Sequence, residues 1–263
     1  MKTTVMKPQR TNNIPEGNYI YELKYDGGSA IIEKNNNGVA IYHNDNGTNQ
    51  IHKYPELQHD LSKLPNGTYI AELCCQSPEA VGGNFSNFLK RQCDNNFKIQ
   101  RRANQYPITA MVYDITVLDK EDLTNLSLLE RKEMLSESIG TTSRIHLVEY
   151  YDNPESIIEL SMQQQIEGIV AKNVNKPYLF EKRDGWYKVR FNKEETVKCI
   201  AYETWSSSDK SLEGIVLTTE KGDRINLPGK RRLTAMQKIK DDGFVMVEVS
   251  KYGRRFPVAK RVL

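Results

Sequence analysis

The chain has few groups from which a metal centre or a disulfide framework could be built. Its 263 residues include four cysteines and four histidines. Cys74 and Cys75 are adjacent, Cys93 and Cys199 stand apart, and no Cys-x-x-Cys spacing occurs. That pattern speaks against a zinc site and against a disulfide scaffold, and it suits a reducing compartment. No apolar run approaches the ~20 residues needed to cross a bilayer. The opening stretch MKTTVMKPQRTNNIPEG lacks the apolar core of a signal peptide, so a cytoplasmic, non-membrane protein is expected. A strong excess of one charge is also missing, because the formal net charge is only +3.

What charge there is lies unevenly. Residues 195–263 carry 14 Lys and Arg against 9 Asp and Glu, whereas the preceding residues are slightly acidic. A basic carboxy-terminal piece on a near-neutral body suggests a polyanionic partner. Charged residues at 27% and hydrophobic residues at 38% describe an ordinary globular chain long enough for two domains.

Apolar segments are mostly short and rich in β-formers. NYIYELK (18–24), SAIIEK (29–34) and VAIYH (39–43), split by glycine-containing turns, predict an antiparallel meander. GTYIAELC (67–74) and ITAMVYDITVL (108–118) predict longer buried strands, as do EGIVAK (167–172) and GWYKVR (185–190) farther on. Two helices have start signals. Ser127 and Glu130 stand in capping-box spacing, and Asn153 precedes Pro154 as an N-cap precedes a first helical residue. After residues 191–195 the pattern becomes short strands and turns with little helix, which predicts a small closed barrel over residues 193–263.

Candidate chemistry centres on ELKYDGG, where Lys24 stands two residues before Asp26. A lysine becomes a nucleophile when it is deprotonated by desolvation or by neighbouring positive charge. Attack on a nucleotide phosphate also needs cations, a carboxylate for a divalent ion and an aromatic surface for the base. Glu72 sits in a strand where an unpaired carboxylate would be costly to bury. Glu167 is followed by Gly168, which allows close backbone approach. Lys188 and Arg190 alternate along WYKVR and so share one face, and Tyr113 offers an aromatic ring. Each of these residues alone has an ordinary structural explanation; their joint order along the chain does not.

Taken together, ELKYDG, YIAELC, MVYDITVLDKEDLTNLSLLERKEML and EGIVAKNVNKPYLFEKRDGWYKVR resemble the ATP-dependent DNA ligases of the covalent nucleotidyltransferase superfamily. The resemblance implies an α+β adenylyltransferase domain of antiparallel sheets with flanking helices over residues 1–192. An all-β OB-fold barrel would follow over residues 193–263. It implies ATP and Mg²⁺ as cofactors and Lys24 as the residue that becomes covalently adenylylated. Glu22 would accept from the adenine amino group and Tyr113 would stack on the ring. Asp26 and Glu72 would hold the ribose or a metal-bound water, and Glu72 and Glu167 would support Mg²⁺. Lys188 and Arg190, helped by Arg183, would neutralise the α-phosphate. The expected partner is nicked duplex DNA, bound by a monomer. Contacts to its backbone are expected from Lys230, Arg231 and Arg232 and from Lys251, Arg254 and Arg255. The family usually has arginine where this chain has Ser29, and a second arginine is replaced by His43 and Asn44 in YHNDNG. RNA-containing strands therefore stay open as an alternative substrate, as does a non-sealing nucleotide-binding relative.

Overall fold

The computed structural model describes residues 4–43, 47–78, 80–164, 166–181, 183–191, 194–205, 214–250 and 258–263. The chain divides into two compact units, Met1–Phe191 and Asn192–Leu263.

The first unit begins with β1 (Gln9–Arg10), β2 (Tyr19–Leu23), β3 (Gly28–Asn35), β4 (Gly38–His43), α1 (Pro55–Ser62) and β5 (Gly67–Cys74). It continues with α2 (Phe85–Arg91), α3 (Asn96–Gln105), β6 (Thr109–Leu118), β7 (Glu121–Asp122) and α4 (Leu128–Ser138). It closes with β8 (Ile145–Leu147), β9 (Tyr150–Tyr151), α5 (Pro154–Gln163), β10 (Gly168–Asn173) and β11 (Trp186–Arg190). These strands form two sheets. One has the order β1-β11-β10-β2-β9; the other runs β4-β3-β5-β6-β7, with β8 added beside β6.

The expected meander does not form as a unit. β3 and β4 pair as a hairpin, but β2 pairs with β10 and β9 in the other sheet. Short alternating strands separated by turns carry no local signal of which sheet each will join. Nor are the sheets purely antiparallel, because β1 lies parallel to β11 and β8 parallel to β6. Both exceptions are short strands added beside longer ones.

The helix start signals act as read. The Ser127 hydroxyl accepts from the Glu130 amide at 3.4 Å, and the Glu130 carboxylate accepts from the Ser127 amide at 2.8 Å. Asn153 accepts from the Glu155 amide at 2.7 Å, and α5 opens at Pro154. α4 is also tied down by charge. Arg131 makes a two-point bond to Asp114 of β6, at 2.8 and 2.9 Å, with both side chains fully buried. The same guanidinium donates to the Leu126 and Lys176 carbonyls.

The second unit contains β12 (Glu194–Trp205), β13 (Gly214–Thr219), β14 (Arg224–Pro228), α6 (Arg231–Asp242), β15 (Val245–Ser250) and β16 (Val258–Val262). Its strands close a barrel in the order β12-β13-β14-β16-β15, with β14 and β16 parallel. Apolar residues such as Cys199, Ile215, Leu217, Leu227 and Val247 fill it. The all-β expectation fails at α6. Ala235, Met236 and Ile239 pack this helix against the barrel core. Gly243 ends it at φ 77°, a left-handed conformation that glycine adopts without a Cβ clash. Three cations at its start, against the helix dipole, hid it in the sequence.

Because Arg131 is sealed from water, removing its partner leaves a bare buried charge. Asp114→Ala is expected to destabilise the first unit by about 3–5 kcal/mol, read as a lowered urea midpoint of that unit's transition.

Candidate active site

Lys24 lies in the four-residue passage from β2 to β3, where the chain leaves one sheet for the other. Its amide donates to the Gly168 carbonyl at 2.9 Å, and the Asp26 amide donates to the Gly82 carbonyl at 2.7 Å. Gly27 is required by space, since a Cβ there would collide with the Leu73 carbonyl of β5. Gly168 is in the same position against the Val189 carbonyl. The passage is thus pressed between strands of both sheets, and the lysine side chain issues from it.

The side chains around it form one connected set. The Lys24 amine pairs with one oxygen of Glu167, whose other oxygen accepts from Arg190 Nε at 2.7 Å. Asp26 accepts from the Phe85 amide at the start of α2 at 3.3 Å. Loss of solvent and the nearby Glu167 raise the Asp26 carboxyl above its ordinary range, with Lys24 pulling the other way. Ser29 donates to Glu72 at 2.9 Å across the β3–β5 pair. Burial pushes Glu72 up to about 7 despite the Ser29 bond and the charge of Lys24. Lys188 is held below its usual value by burial and then by Arg190, Lys24 and Arg183.

A pocket of about 270 Å³ opens beside this set, walled by Glu22, Lys24, Glu72, Tyr113, Arg183 and Lys188 among the expected residues. Asp26, Glu167 and Arg190 join it through Lys24. Strand register explains much of the assembly: Glu22 of β2, Val170 of β10 and Lys188 of β11 stand in one row. Tyr113 comes from the other sheet and meets Trp186 edge to face, with ring centroids 6.1 Å apart.

Sequence reasoning missed part of this wall. Val5, Met6 and Pro8 line the pocket from the amino-terminal segment. Trp186 is buried, and its indole N–H has no hydrogen-bond acceptor among the described residues. Glu22 is also buried, paired with Lys132 of α4 and, at 2.7 Å, with Lys172 of β10. Alternation along EGIVAK could have flagged Lys172, which shares the face of Val170. Lys132 had no comparable signal, being one lysine on a helix. In place of the family's second arginine, His43 donates through Nδ1 to the Ser29 carbonyl at 2.9 Å and accepts from the Tyr54 hydroxyl at 2.6 Å.

Among the described residues no three His, Cys, Asp or Glu side chains gather into a metal cluster. Mg²⁺ needs no such cluster, since it is commonly held by one or two carboxylates together with phosphate oxygens and waters. The partly buried carboxyl of Glu72, pushed up by burial, fits that role, because a nearby cation would favour its ionised form. In the second unit, Lys230 precedes α6, and Arg231 and Arg232 occupy its first turn. Lys251, Arg254 and Arg255 lie outside the described residues. No helix among the described residues is long and apolar enough to cross a membrane.

A family profile described as "ATP dependent DNA ligase domain" matches residues 2–190. The chain belongs to this family. Its ligase relatives include the bifunctional non-homologous end joining protein LigD of Bacillus subtilis, 29% identical over 217 residues, covering 74% of this chain and 35% of that one. A probable DNA ligase of Dictyoglomus thermophilum is 28% identical over 196 residues, with 70% and 34% covered. The chain therefore spans about a third of the length of these relatives. Among solved structures, a Lig E DNA ligase aligns over 99% of both chains at 17% identity, with a TM-score of 0.65. The ligase domain of M. tuberculosis LigD aligns over 99% and 95% at 16% identity, with a TM-score of 0.61. Both alignments are likenesses of fold that cover nearly the whole of this chain.

The raised Glu72 carboxyl makes a pH prediction. The unfolded chain gives up this proton near pH 4.5, and the folded chain holds it to about pH 7. Stability contributed by Glu72 therefore falls as pH rises through that window and is level above it. Glu72→Gln should gain roughly 3 kcal/mol on wild type between pH 4.5 and 7, measured by denaturant titrations across that range.

Proposed function

We propose that this chain is an ATP-dependent polynucleotide ligase that seals 5′-phosphate/3′-hydroxyl nicks in duplex DNA. The observation that carries the reading is that Lys24 lines a pocket together with Lys188 and Arg183. A phosphate beside the Lys24 amine would meet positive charge from separate strands and loops. The Lys24 nitrogen forms a bond to the α-phosphorus of ATP while the bond to the β-phosphate oxygen breaks and pyrophosphate leaves. The amine must shed its proton for this, and Glu167, already in contact, is placed to receive it. AMP then passes to the 5′-phosphate at the nick, and the 3′-hydroxyl displaces it.

In this reading Tyr113 stacks on the adenine and Glu22 accepts from its amino group. Asp26 and Glu72 serve the ribose or a metal-bound water. Mg²⁺ supplies charge neutralisation at the phosphates, and Glu72 and Glu167 are the side chains that would hold it. The unmet indole N–H of Trp186 in the pocket wall supports occupation by a polar ligand, since a buried donor left unpaired costs about 1–3 kcal/mol. The first unit is the adenylyltransferase and the second an OB-fold that binds DNA, the whole acting as a monomer. Support for the barrel's role comes from its strand order, its parallel β14–β16 closure and the cations at the start of α6.

Incubation with ATP and Mg²⁺ should add the mass of one AMP to the wild-type chain and none to Lys24→Ala. Only the wild type should seal a nicked duplex. Matched nicks in all-DNA and RNA-containing strands decide the polymer, and preferential sealing of RNA would overturn the DNA assignment. For the barrel, Arg231→Ala/Arg232→Ala should weaken binding to nicked duplex. It should also flatten the dependence of log affinity on log salt by about one to two, as phosphate contacts are lost. An unchanged slope places the DNA elsewhere.

A further inference from the structure

Glu22 is 3% exposed and stands between two ammonium groups, one oxygen facing Lys132 and the other facing Lys172. Both lysines are themselves buried. Lys172 also lies 4.3 Å from the ring centroids of Tyr113 and Trp186, so it is fixed against two walls of the pocket. An isolated ion pair would need only one lysine. Two cations on one carboxylate leave a surplus positive charge inside the protein, which is costly unless it has a use.

We propose that Lys132 and Lys172 are positioning residues that keep Glu22 an ionised hydrogen-bond acceptor, so that the pocket selects a purine with an amino group at C6 over one with an oxo group there. The inference rests on the nucleotide reading above and adds to it the groups that set base choice.

The chemistry is one of donor and acceptor. A carboxylate has two lone pairs on each oxygen, so an ion pair to each still leaves an acceptor site for an amino group. A buried carboxyl without counter-charge takes up a proton, and the neutral acid can donate. A donor at that point accommodates a C6 oxo group, and discrimination is lost. Two lysines keep the acceptor form in place. Lys172 is the more adjustable of the two: burial lowers it to about 8, with Glu22 opposing that change and Lys132 adding to it. Adenine is thus chosen by a carboxylate whose charge state is set by side chains from β10 and α4, neither adjacent to Lys24 in sequence.

The test measures Lys24 nucleotidylation with ATP and with GTP by intact mass and initial rates. In Lys132→Met/Lys172→Met, which leaves Glu22 without either counter-charge, the KM for ATP is expected to rise about tenfold with a smaller change in kcat. The ATP:GTP ratio of kcat/KM should fall at least ~10-fold. Lys132→Arg/Lys172→Arg, which keeps both charges, should hold the ratio near wild type. Should Lys132→Met/Lys172→Met lose its folded circular dichroism signal, the single variants Lys132→Met and Lys172→Met are read instead, each expected to lower the ratio by a smaller factor while Glu22 stays in place. A wild-type ratio in the folded double methionine variant, or in both folded single variants, overturns the proposal, since a purely structural ion pair leaves base choice untouched. A wild-type chain that gains neither nucleotide overturns the nucleotide reading itself.

Discussion

Between Leu23 and Gly28 the chain has four residues in which to leave one sheet and enter another, and its backbone polar groups cannot go unpaired on the way. The amides of Lys24 and Asp26 are met by the carbonyls of Gly168 and Gly82, which belong to distant parts of the chain. The steric need for Gly27 and Gly168 follows from the same compression. Once the passage is fixed, Lys24 has one direction in which to project. Glu167, immediately before β10, is then beside it. The site is built around a backbone constraint, and its chemistry follows from where that constraint aims a side chain.

Charge is handled differently in three neighbouring places. Asp114 and Arg131 form a sealed two-point pair that holds α4 on β6 and leaves nothing for a ligand. Glu167 is shared between Lys24 and Arg190, a pairing that a bound phosphate can compete with, because the cations are the groups a phosphate would seek. Glu22 lies between these cases, buried like the first pair and facing the pocket like the second. The gradation runs from a sealed ion pair to one open to a ligand over a few strands. It matches what a site must do when it holds charged groups ready without burying them beyond use.

Ser29 shows how a departure from a family pattern is absorbed. Its hydroxyl bonds Glu72, and its carbonyl is held by His43, which in turn receives from Tyr54. Burial lowers His43, in keeping with the neutral ring that this donor-and-acceptor arrangement requires. The space where the family carries arginine is filled by a neutral hydrogen-bonded chain. Burial raises the Glu72 carboxyl, and the Ser29 bond and the charge of Lys24 oppose it.

Local chemistry was legible in the residues themselves. The Ser127–Glu130 capping box, the Asn153 cap, the alternation that puts Lys188 and Arg190 on one face, and the glycine required beside Glu167 depend on neighbours within a few positions. So do the candidate lysine, carboxylates and aromatic ring, whose residue types state what they can do. What the residues could not state was partnership over long separations. β2 left its apparent meander because pairing is decided by the faces other strands offer. Glu22 acquired Lys132 and Lys172 because register and helix placement brought them there. α6 formed in a stretch read as strand and turn because the barrel gave Ala235 and Ile239 a surface to cover, outweighing three cations at the wrong end of a helix dipole. The sequence determined which groups are available and where helices could start. Tertiary structure decided which charges meet, because that depends on sheet register and burial, and neither is a property of any short stretch of chain.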